Sequence, residues 1–594
     1  MKKQTSFFKK AHVIMCLFAI VLCSCKNTSS SHYLPKTKDY VVALENDYKQ
    51  GLEATINYLD SLKDSSNQRI FWYKKARKQF KKIEPVLAFT DSDNYKSLNA
   101  PNLLKIEEED ATDIKINKPF GFQVIEEMLL DDEVSKLDFN ETVSATQKRL
   151  ELILQNSKLY LKDYHVLWLI RDQIARTALT GITGFDSPVF EQSIEEAQIV
   201  YKSLIKLIKN YREKFNNIEL YKEWLKELDS SVNDLQGNFN DFNRYEFIKK
   251  HAHPQLKLLQ KTIKDWQVQF PLELAFKNNM TSLFSKETFN INYFSDYKMK
   301  KDSLFKEKIS LGKQLFNDKR LSKNETMSCA TCHIKELAFT DGKTTFDKQT
   351  RNTPTLSYVA LQKSFFHDGR AGSLEGQIVG VVENKNEFHS DLKNLTEKIK
   401  KDSIYSQLIK SLYGKVNDMV IRNSIADYMR TLGEFNSKFD KNINGQEKTL
   451  SKAEIKGFNL FMGKAKCATC HFPPVFNGTV PPAFKDSELE SIGVPNLQED
   501  NLDEDLGRYH VFNTNERMYF FKTPTIRNIA KTAPYMHNGV YKSLNQVMDF
   551  YNKGGGEGLG FKVPNQTLPA DKLELSKEEI QSLIAFMESL TDED

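Results

Sequence analysis

Cysteine is scarce in this 594-residue chain, and so is net charge: there are seven Cys, and Lys plus Arg exceed Asp plus Glu by only five. Three of the cysteines, Cys16, Cys23 and Cys25, crowd into the first 25 positions. The other four, Cys329, Cys332, Cys467 and Cys470, form two pairs with nothing left over, so no broader disulfide framework is available. The small net charge mixes both signs along the chain, which gives no reason to expect a polyanion partner and sets nucleic acid aside. Long apolar runs are missing as well. The one candidate, "AHVIMCLFAIVLC", is too short for a spanning helix. Strand signals are sparse, whereas long stretches carry helical spacing with Lys and Glu on their polar faces, so the fold class expected is all-α.

What is present at the N-terminus is an export signal. "MKKQTSFFKK" is a basic leader before the apolar run, as in a secretory signal peptide. "LCSC" resembles a bacterial lipoprotein box, with cleavage before Cys25 and acylation of its thiol. Residues 1 to 25 are thus read as a lipoprotein signal peptide, and residues 26 to 40, polar and Ser-rich, as a tether. Residues 41 to 280 carry no Cys and read as a helical bundle, with apolar residues at three- and four-residue steps. Within it "IEPVLAF", "NAPNL" and "GFQVIEE" faintly resemble the imelysin-like helical proteins, whose signature is Gly-x-His-x-x-Glu. The match falls on Gly121, Gln123 and Glu126, with Gln in place of the His, a poor metal ligand. A structural or docking bundle is the plainer reading, with Glu126 and Glu127 on a solvated helix face. Residues 281 to 306 break the periodicity and mark a candidate boundary.

The second half is built around a repeated pentapeptide, Cys-Ala-Thr-Cys-His, at Cys329 to His333 and Cys467 to His471. The spacing lets two thiols bond to the vinyl groups of one haem while the adjacent imidazole reaches the iron. The competing readings are a thiol-disulfide pair or half of a zinc site. Covalent c-type haem is attached after export, so leader and motif agree on a periplasmic-type compartment.

The repeat extends beyond the pentapeptide. Gly312-x-x-Leu315-Phe316 precedes the first and Gly457-x-x-Leu460-Phe461 the second. Downstream, Thr353-Pro354-Thr355-Leu356, His367-Asp368-Gly369 and Ser373-Leu374 match Thr523-Pro524-Thr525-Ile526, His537-Asn538-Gly539 and Ser543-Leu544 at identical internal spacing. Two tandem cytochrome c-type haem domains follow, over residues 300 to 445 and 446 to 594. One interval differs: 20 residues separate His333 from Thr353, and 52 separate His471 from Thr523. The extra stretch includes the acidic "QEDNLDEDLGRYHVF", read either as a solvated loop or as a partner-facing one. "SKAE" at 451 to 454 and "SKEE" at 576 to 579 fit the capping box that opens a helix.

"LGKQLFNDKRLSKNETMSCATCH", "RNTPTL", "FFHDGRAGSLEGQ" and "FKTPTIRNIAKTAPYMHNGVYKSLNQVMDFY" together resemble the bacterial di-haem cytochrome c peroxidases. That family includes the oxidases that mature the quinone cofactor of methylamine dehydrogenase. The likeness spans roughly residues 300 to 594. It implies two c-type haems, held through Cys329, Cys332 and His333 and through Cys467, Cys470 and His471, with one Ca²⁺ between them. The implied calcium ligands are the Asn352 side chain and the carbonyls of Thr532 and Pro534; taken alone, Asn352 would read as a turn cap. The distal ligand of the second iron falls on Tyr551, with Met548 as the alternative register. In the first copy the equivalent position is Val381, which cannot bind iron. Members commonly carry a His about 16 residues after the first haem His, yet residues 339 to 350 contain none. The first site is therefore expected to stay open, with His367 or His389 the residues that could fill it.

The same resemblance puts Glu387 above the first haem as the acid-base group, since peroxide cleavage needs a proton taken from one oxygen and returned to the other. Gln377 falls on a distal hydrogen-bonding position. Many members have Trp between the haems where this chain has His367, a poorer hole carrier that reads equally as a structural residue. The implied activity is reduction of hydrogen peroxide to water, with electrons from a small cytochrome c or cupredoxin relayed from the second haem to the first. An oxidase of the quinone-maturing type acting on a protein or organic substrate is the alternative, and a non-catalytic electron-transfer or haem-sensing protein is the alternative of another class. The expected location is the periplasm, tethered to a membrane, with a homodimer among the possible assemblies.

Overall fold

The computed structural model describes residues 39–593 other than 65, 66, 109–111, 296, 298, 300 and 301. The leader, the anchor Cys25 and all but the end of the tether lie outside the described residues. The chain is mostly helical. Among the described residues the strands form two short antiparallel ribbons, Lys105–Glu107 with Lys115–Asn117 and Leu489–Ser491 with Phe520–Lys522, which qualifies the all-α expectation.

The N-terminal half packs long helices, among them Asp39–Asp64, Arg69–Thr90, Lys136–Gln155, Asp163–Arg176, Ser193–Asn210 and Ile218–Asp234. In the first, Leu44, Tyr48, Leu52, Leu59 and Leu62 are buried at helical spacing, giving one apolar stripe. Gly51 lets the second helix close on it: a Cβ there would lie 2.2 Å from Cγ2 of Ile83.

Glu126 is not on a solvated face, contrary to the sequence expectation. It is fully buried and accepts hydrogen bonds from the Tyr73 hydroxyl (2.7 Å), the Ser187 hydroxyl (2.9 Å) and the N–H groups of Val189 (3.0 Å) and Phe190 (2.8 Å). A buried carboxylate survives only when its lone pairs are filled in this way. Gln123, also buried, donates to the Asn99 carbonyl (2.7 Å). Half-buried Glu127 accepts from Asn102.

The repeat seen in the sequence is repeated in the backbone. Helix Phe305–Asn317 crosses Asp418–Met429 at Gly312, and helix Lys452–Phe461 crosses Lys577–Glu588 at Gly457. A Cβ at either glycine would lie 1.9 Å from a carbonyl oxygen of the partner helix, that of Ser424 or Ser582. Beside the crossings Phe316 meets Tyr428 and Phe461 meets Phe586 edge to face. Both expected capping boxes, Ser451 with Glu454 and Ser576 with Glu579, are formed.

The apolar core divides differently from the chain. Most buried apolar residues of the first haem-motif unit form their own cluster, whereas most of those in the second join the N-terminal bundle in a cluster that also takes in Tyr358, Leu361, Phe435 and Phe439, with Val494, Val540, Tyr541, Val547 and Phe550 forming a small cluster apart. Tyr245 lies edge-on to Phe439 and Phe458. Phe284 and Phe289, inside the expected boundary stretch, pack on Phe439, Phe476 and Phe484. Ion pairs reinforce the junction: Lys96 meets Asp486 and Glu488, while Glu108 faces Arg508 and Arg517.

Candidate active site

Each Cys-x-x-Cys-His segment forms a single tight turn, Cys329–Cys332 and Cys467–Thr469. That turn sets the imidazole beside its thiols. His333 Nδ1 lies 2.8 Å from the Phe339 carbonyl. His471 Nδ1 lies 3.2 Å from the Phe476 carbonyl and 3.0 Å from that of Pro524. Burial lowers the pKa of both rings, so each is neutral with Nδ1–H donating, which leaves Nε2 to ligate a metal. Cys332, His333, Cys467, Cys470 and His471 all line one continuous cavity of about 3140 Å³. That is several times the volume of an ordinary small-ligand pocket, roughly 300–1,000 Å³.

The thiols argue against the redox reading. Burial pushes Cys329, Cys332 and Cys467 up to about 12, the opposite of the lowered pKa that activates a disulfide-exchanging thiol. All four cysteines are unpaired. Among the described residues no group of three or more His, Cys, Asp or Glu side chains gathers as a metal site, so the zinc reading lacks its remaining ligands. Two thiols and an oriented imidazole in a roomy cavity fit covalently attached haem at both sites.

The opposite walls differ. On helix Leu374–Glu383, capped by Ser373, Gln377 and Val381 face the cavity. The helix ends at Asn384, whose carbonyl accepts the N–H of Glu387 (3.0 Å) and whose side-chain amide donates to Glu387 Oε1 (2.7 Å). Burial pushes Glu387 up to about 7, with Asn384 and Arg370 opposing the rise. Its charge reaches both Cys329 and Cys332, so Glu387, Gln377 and Val381 share the first site. His389 is exposed with positive φ, and His367 commits Nε2 to the Asn352 carbonyl (2.9 Å).

On helix Leu544–Asn552, capped by Ser543, both Met548 and Tyr551 line the cavity. Burial raises the Tyr551 phenol well above its ordinary range, and negative charge on Cys470, Cys467 and Glu490 adds to the rise. Tyr551 therefore stands over the second cysteine pair. Glu490 and Lys522, on the paired strands, are site residues that the sequence did not disclose. Burial pushes Glu490 up to about 7 and Lys522 down to about 8. Lys522 Nζ donates to Gln362 Oε1 (2.9 Å). Glu490 lies in the stretch that the first copy lacks, so the internal comparison offered no signal for it.

Between the sites, the Asn352 amide donates to the carbonyls of Lys343 (2.8 Å) and Thr344 (3.2 Å), which leaves Oδ1 as the acceptor atom of its side chain. Thr532 and Pro534 line the same cavity; neutral oxygens of this kind suit Ca²⁺. The acidic loop turns partly inward. Asp505 and Asp368 hold Arg351, and Asp503 meets His537 and Asn538, while Glu499 and Asp500 stay exposed.

A profile of the di-haem cytochrome c peroxidase family matches residues 306–448. The methylamine utilization protein MauG of Methylorubrum extorquens is 33% identical over 301 residues, covering 49% of this chain and 80% of that protein. The cytochrome-c peroxidase IdrP1 of a Pseudomonas species is 33% identical over 315 residues, covering 48% and 81%. Among solved structures, a MauG-like protein associated with microbial copper homeostasis aligns over 50% of this chain and 91% of its own, at 26% identity and a TM-score of 0.43. The family implies two c-type haems and an oxidoreductase activity. On its duplicated Cys-x-x-Cys-His turns and the length of its likeness to these relatives, this chain belongs to the di-haem cytochrome c peroxidase family.

Proposed function

We propose that this protein reduces hydrogen peroxide to water at the His333 site, with electrons entering through the His471 site from a small cytochrome c or cupredoxin. The observation that carries the reading is the asymmetry of the two walls: Val381 with Glu387 at one site, Tyr551 at the other. Haem held at the two turns would supply iron chemistry with peroxide and single-electron exchange. Cys329 with Cys332 and Cys467 with Cys470 would hold it by thioether bonds, and His333 and His471 would offer Nε2. Val381, which has no ligating atom, would leave room for a small ligand at the first site. Glu387, poised near neutrality, takes the proton from one peroxide oxygen and returns it to the departing one. Asn384 keeps its carboxylate in place, and Gln377 offers hydrogen bonds alongside. Each peroxide consumes two electrons and two protons and yields two waters.

Tyr551 is proposed as the second distal ligand, a phenolate oxygen favouring the ferric state, and Asn352, Thr532 and Pro534 as the calcium ligands. The leader and Cys25 support a periplasmic lipoprotein. Among the described residues no helix is long and apolar enough to cross a membrane. Tyr551 also favours a second reading, an oxidase of the quinone-maturing type acting on a protein or organic substrate. Mixing the haem-loaded protein with peroxide, with and without reduced cytochrome c, separates the two. Rapid multiple turnover of the cytochrome supports the peroxidase. A long-lived oxidised state that reduced cytochrome leaves untouched overturns it in favour of the oxidase.

A further inference from the structure

The stretch from Gly121 to Glu126 plays no part in the peroxide chemistry, yet its polar side chains converge on one loop of the bundle. Glu126 accepts hydrogen bonds from the Ser187 hydroxyl and from the N–H groups of Val189 and Phe190. Gln123 holds the Asn99 carbonyl, and the Asn99 amide donates to Asp186 Oδ1 (2.6 Å). Lys81 Nζ donates to Asp186 Oδ2 (2.5 Å) and Arg77 Nη2 to the Asp186 carbonyl (2.7 Å). Gln123, Glu126, Asn99, Lys81, Arg77, Asp186 and Ser187 are all buried, so the loop from Asp186 to Phe190 is fixed from inside the bundle.

What this brace holds is one wall of the second site. Phe185, half-buried, lies edge-on to Phe472, ring centroids 5.6 Å apart, and Phe472 directly follows His471. Lys466, the residue before Cys467, donates from Nζ to the Pro188 carbonyl (3.2 Å). Gly184, Phe185, Asp186 and Pro188 line the cavity together with Cys467, Cys470 and His471.

Behind the same wall sits Arg244, fully buried. It is pressed against Gly463, four residues ahead of Cys467: a Cβ there would lie 2.6 Å from the guanidinium carbon. Its hydrogen bonds go to main-chain carbonyls, those of Ile182 (2.8 Å), Phe242 (3.0 Å) and Phe239 (2.7 Å). Burial pushes its pKa down to about 9, the charge of Glu191 opposing the fall, which still leaves it cationic at neutral pH. A positive charge with no bonded carboxylate is thus kept beside the second attachment turn.

Resting on the reading of the His471 site as the entry point for electrons, we propose that the N-terminal bundle sets the reduction potential of that site, Phe185 excluding water and Arg244 supplying positive charge. Both are positioning residues that touch neither substrate nor iron. Water stabilises the oxidised state, which carries the extra positive charge, so excluding it favours the reduced one. A cation held in low dielectric acts in the same direction. Together they offset Tyr551, whose phenolate oxygen would favour the oxidised state. Each electron leaves the donor, which is oxidised, and arrives at the second site, which is reduced, and a higher potential there makes that transfer more favourable.

The test is a spectroelectrochemical titration of the haem-loaded, full-length protein. The second-site couple is identified as the one missing when Cys467 and Cys470 are both replaced by Ala. Phe185→Ala and Arg244→Gln should each shift that couple to lower potential and leave the first unmoved. Arg244→Lys, which keeps the charge, should retain most of the wild-type value. Glu126→Gln, remote from the turn, should shift the couple in the same direction by loosening the loop. An unchanged second couple in both Phe185→Ala and Arg244→Gln, or an equal fall of both couples, would overturn the assignment, and Phe185→Ala decides alone if Arg244→Gln does not fold. Peroxide turnover by the wild type is recorded in the same preparation. Its absence would remove the peroxidase reading while leaving the potentials to judge the role of the bundle.

Discussion

Burial pushes the Glu387 pKa up to about 7, and the direction of the resulting pH dependence follows from the step proposed for it. Only the ionised carboxylate can accept the peroxide proton. The rate of the oxidised protein with peroxide should therefore rise from pH 6 to pH 8 with a midpoint of about 7, as stopped-flow mixing would show. Glu387→Gln should lose the rise and slow the reaction by about 10²- to 10⁴-fold. Asn384→Leu removes a hydrogen bond that opposes the burial shift, so its midpoint should move upward. At the other site, Tyr551→Met replaces a phenol by a thioether and should raise the reduction potential of the second couple in a spectroelectrochemical titration. An unchanged potential would assign the ligand position elsewhere on that helix, Met548 first. The motif residues were legible because their chemistry fixes their spacing. Glu126 was misread because its partners Tyr73 and Ser187 lie 53 and 61 residues away in sequence. Lys522 went unnoticed because its counterpart in the first copy is Asn352, a residue of different charge.

At the scale of elements, the haem-motif units are framed by pairs of crossing helices, and each crossing depends on one glycine. Gly312→Val and Gly457→Val both force a side chain against a carbonyl oxygen. Each should destabilise its unit by about 3 kcal/mol or more, read as a lower melting temperature of that unit's haem absorbance. The duplication made both crossings legible, because Gly-x-x-Leu-Phe recurs at the same place ahead of each pentapeptide. Capping boxes were equally plain, since Ser and Glu three residues apart satisfy each other's backbone donors. The short ribbons were not, being three residues per strand, too brief for alternation to register. The acidic loop reads as charge in sequence, yet Asp503 and Asp505 spend theirs on His537 and Arg351, a pairing that only the tertiary fold reveals.

At the scale of the whole molecule, the bundle and most of the second haem-motif unit share one core, which reaches the first unit at Tyr358, Leu361, Phe435 and Phe439, while most of the first unit packs in a core of its own. Sequence periodicity marks where helices stop and start, and it lapses over residues 281 to 306. It could not show that Phe284 and Phe289 in that stretch join the halves. Tyr245→Ala should cost on the order of 3–5 kcal/mol, as for other large buried aromatics. It should lower the melting of bundle helicity and of the second haem together, measured by circular dichroism and haem absorbance, and leave the first haem less affected.

Two identical pentapeptides are proposed to serve different sites, one open to peroxide and one closed by a protein ligand. Electron paramagnetic resonance of the oxidised, haem-loaded protein tests it most directly. One high-spin signal is expected, lost on adding peroxide and retaining its spin state in Tyr551→Met, beside a distinct second signal that the same substitution alters. Two low-spin signals, both indifferent to peroxide, would contradict it.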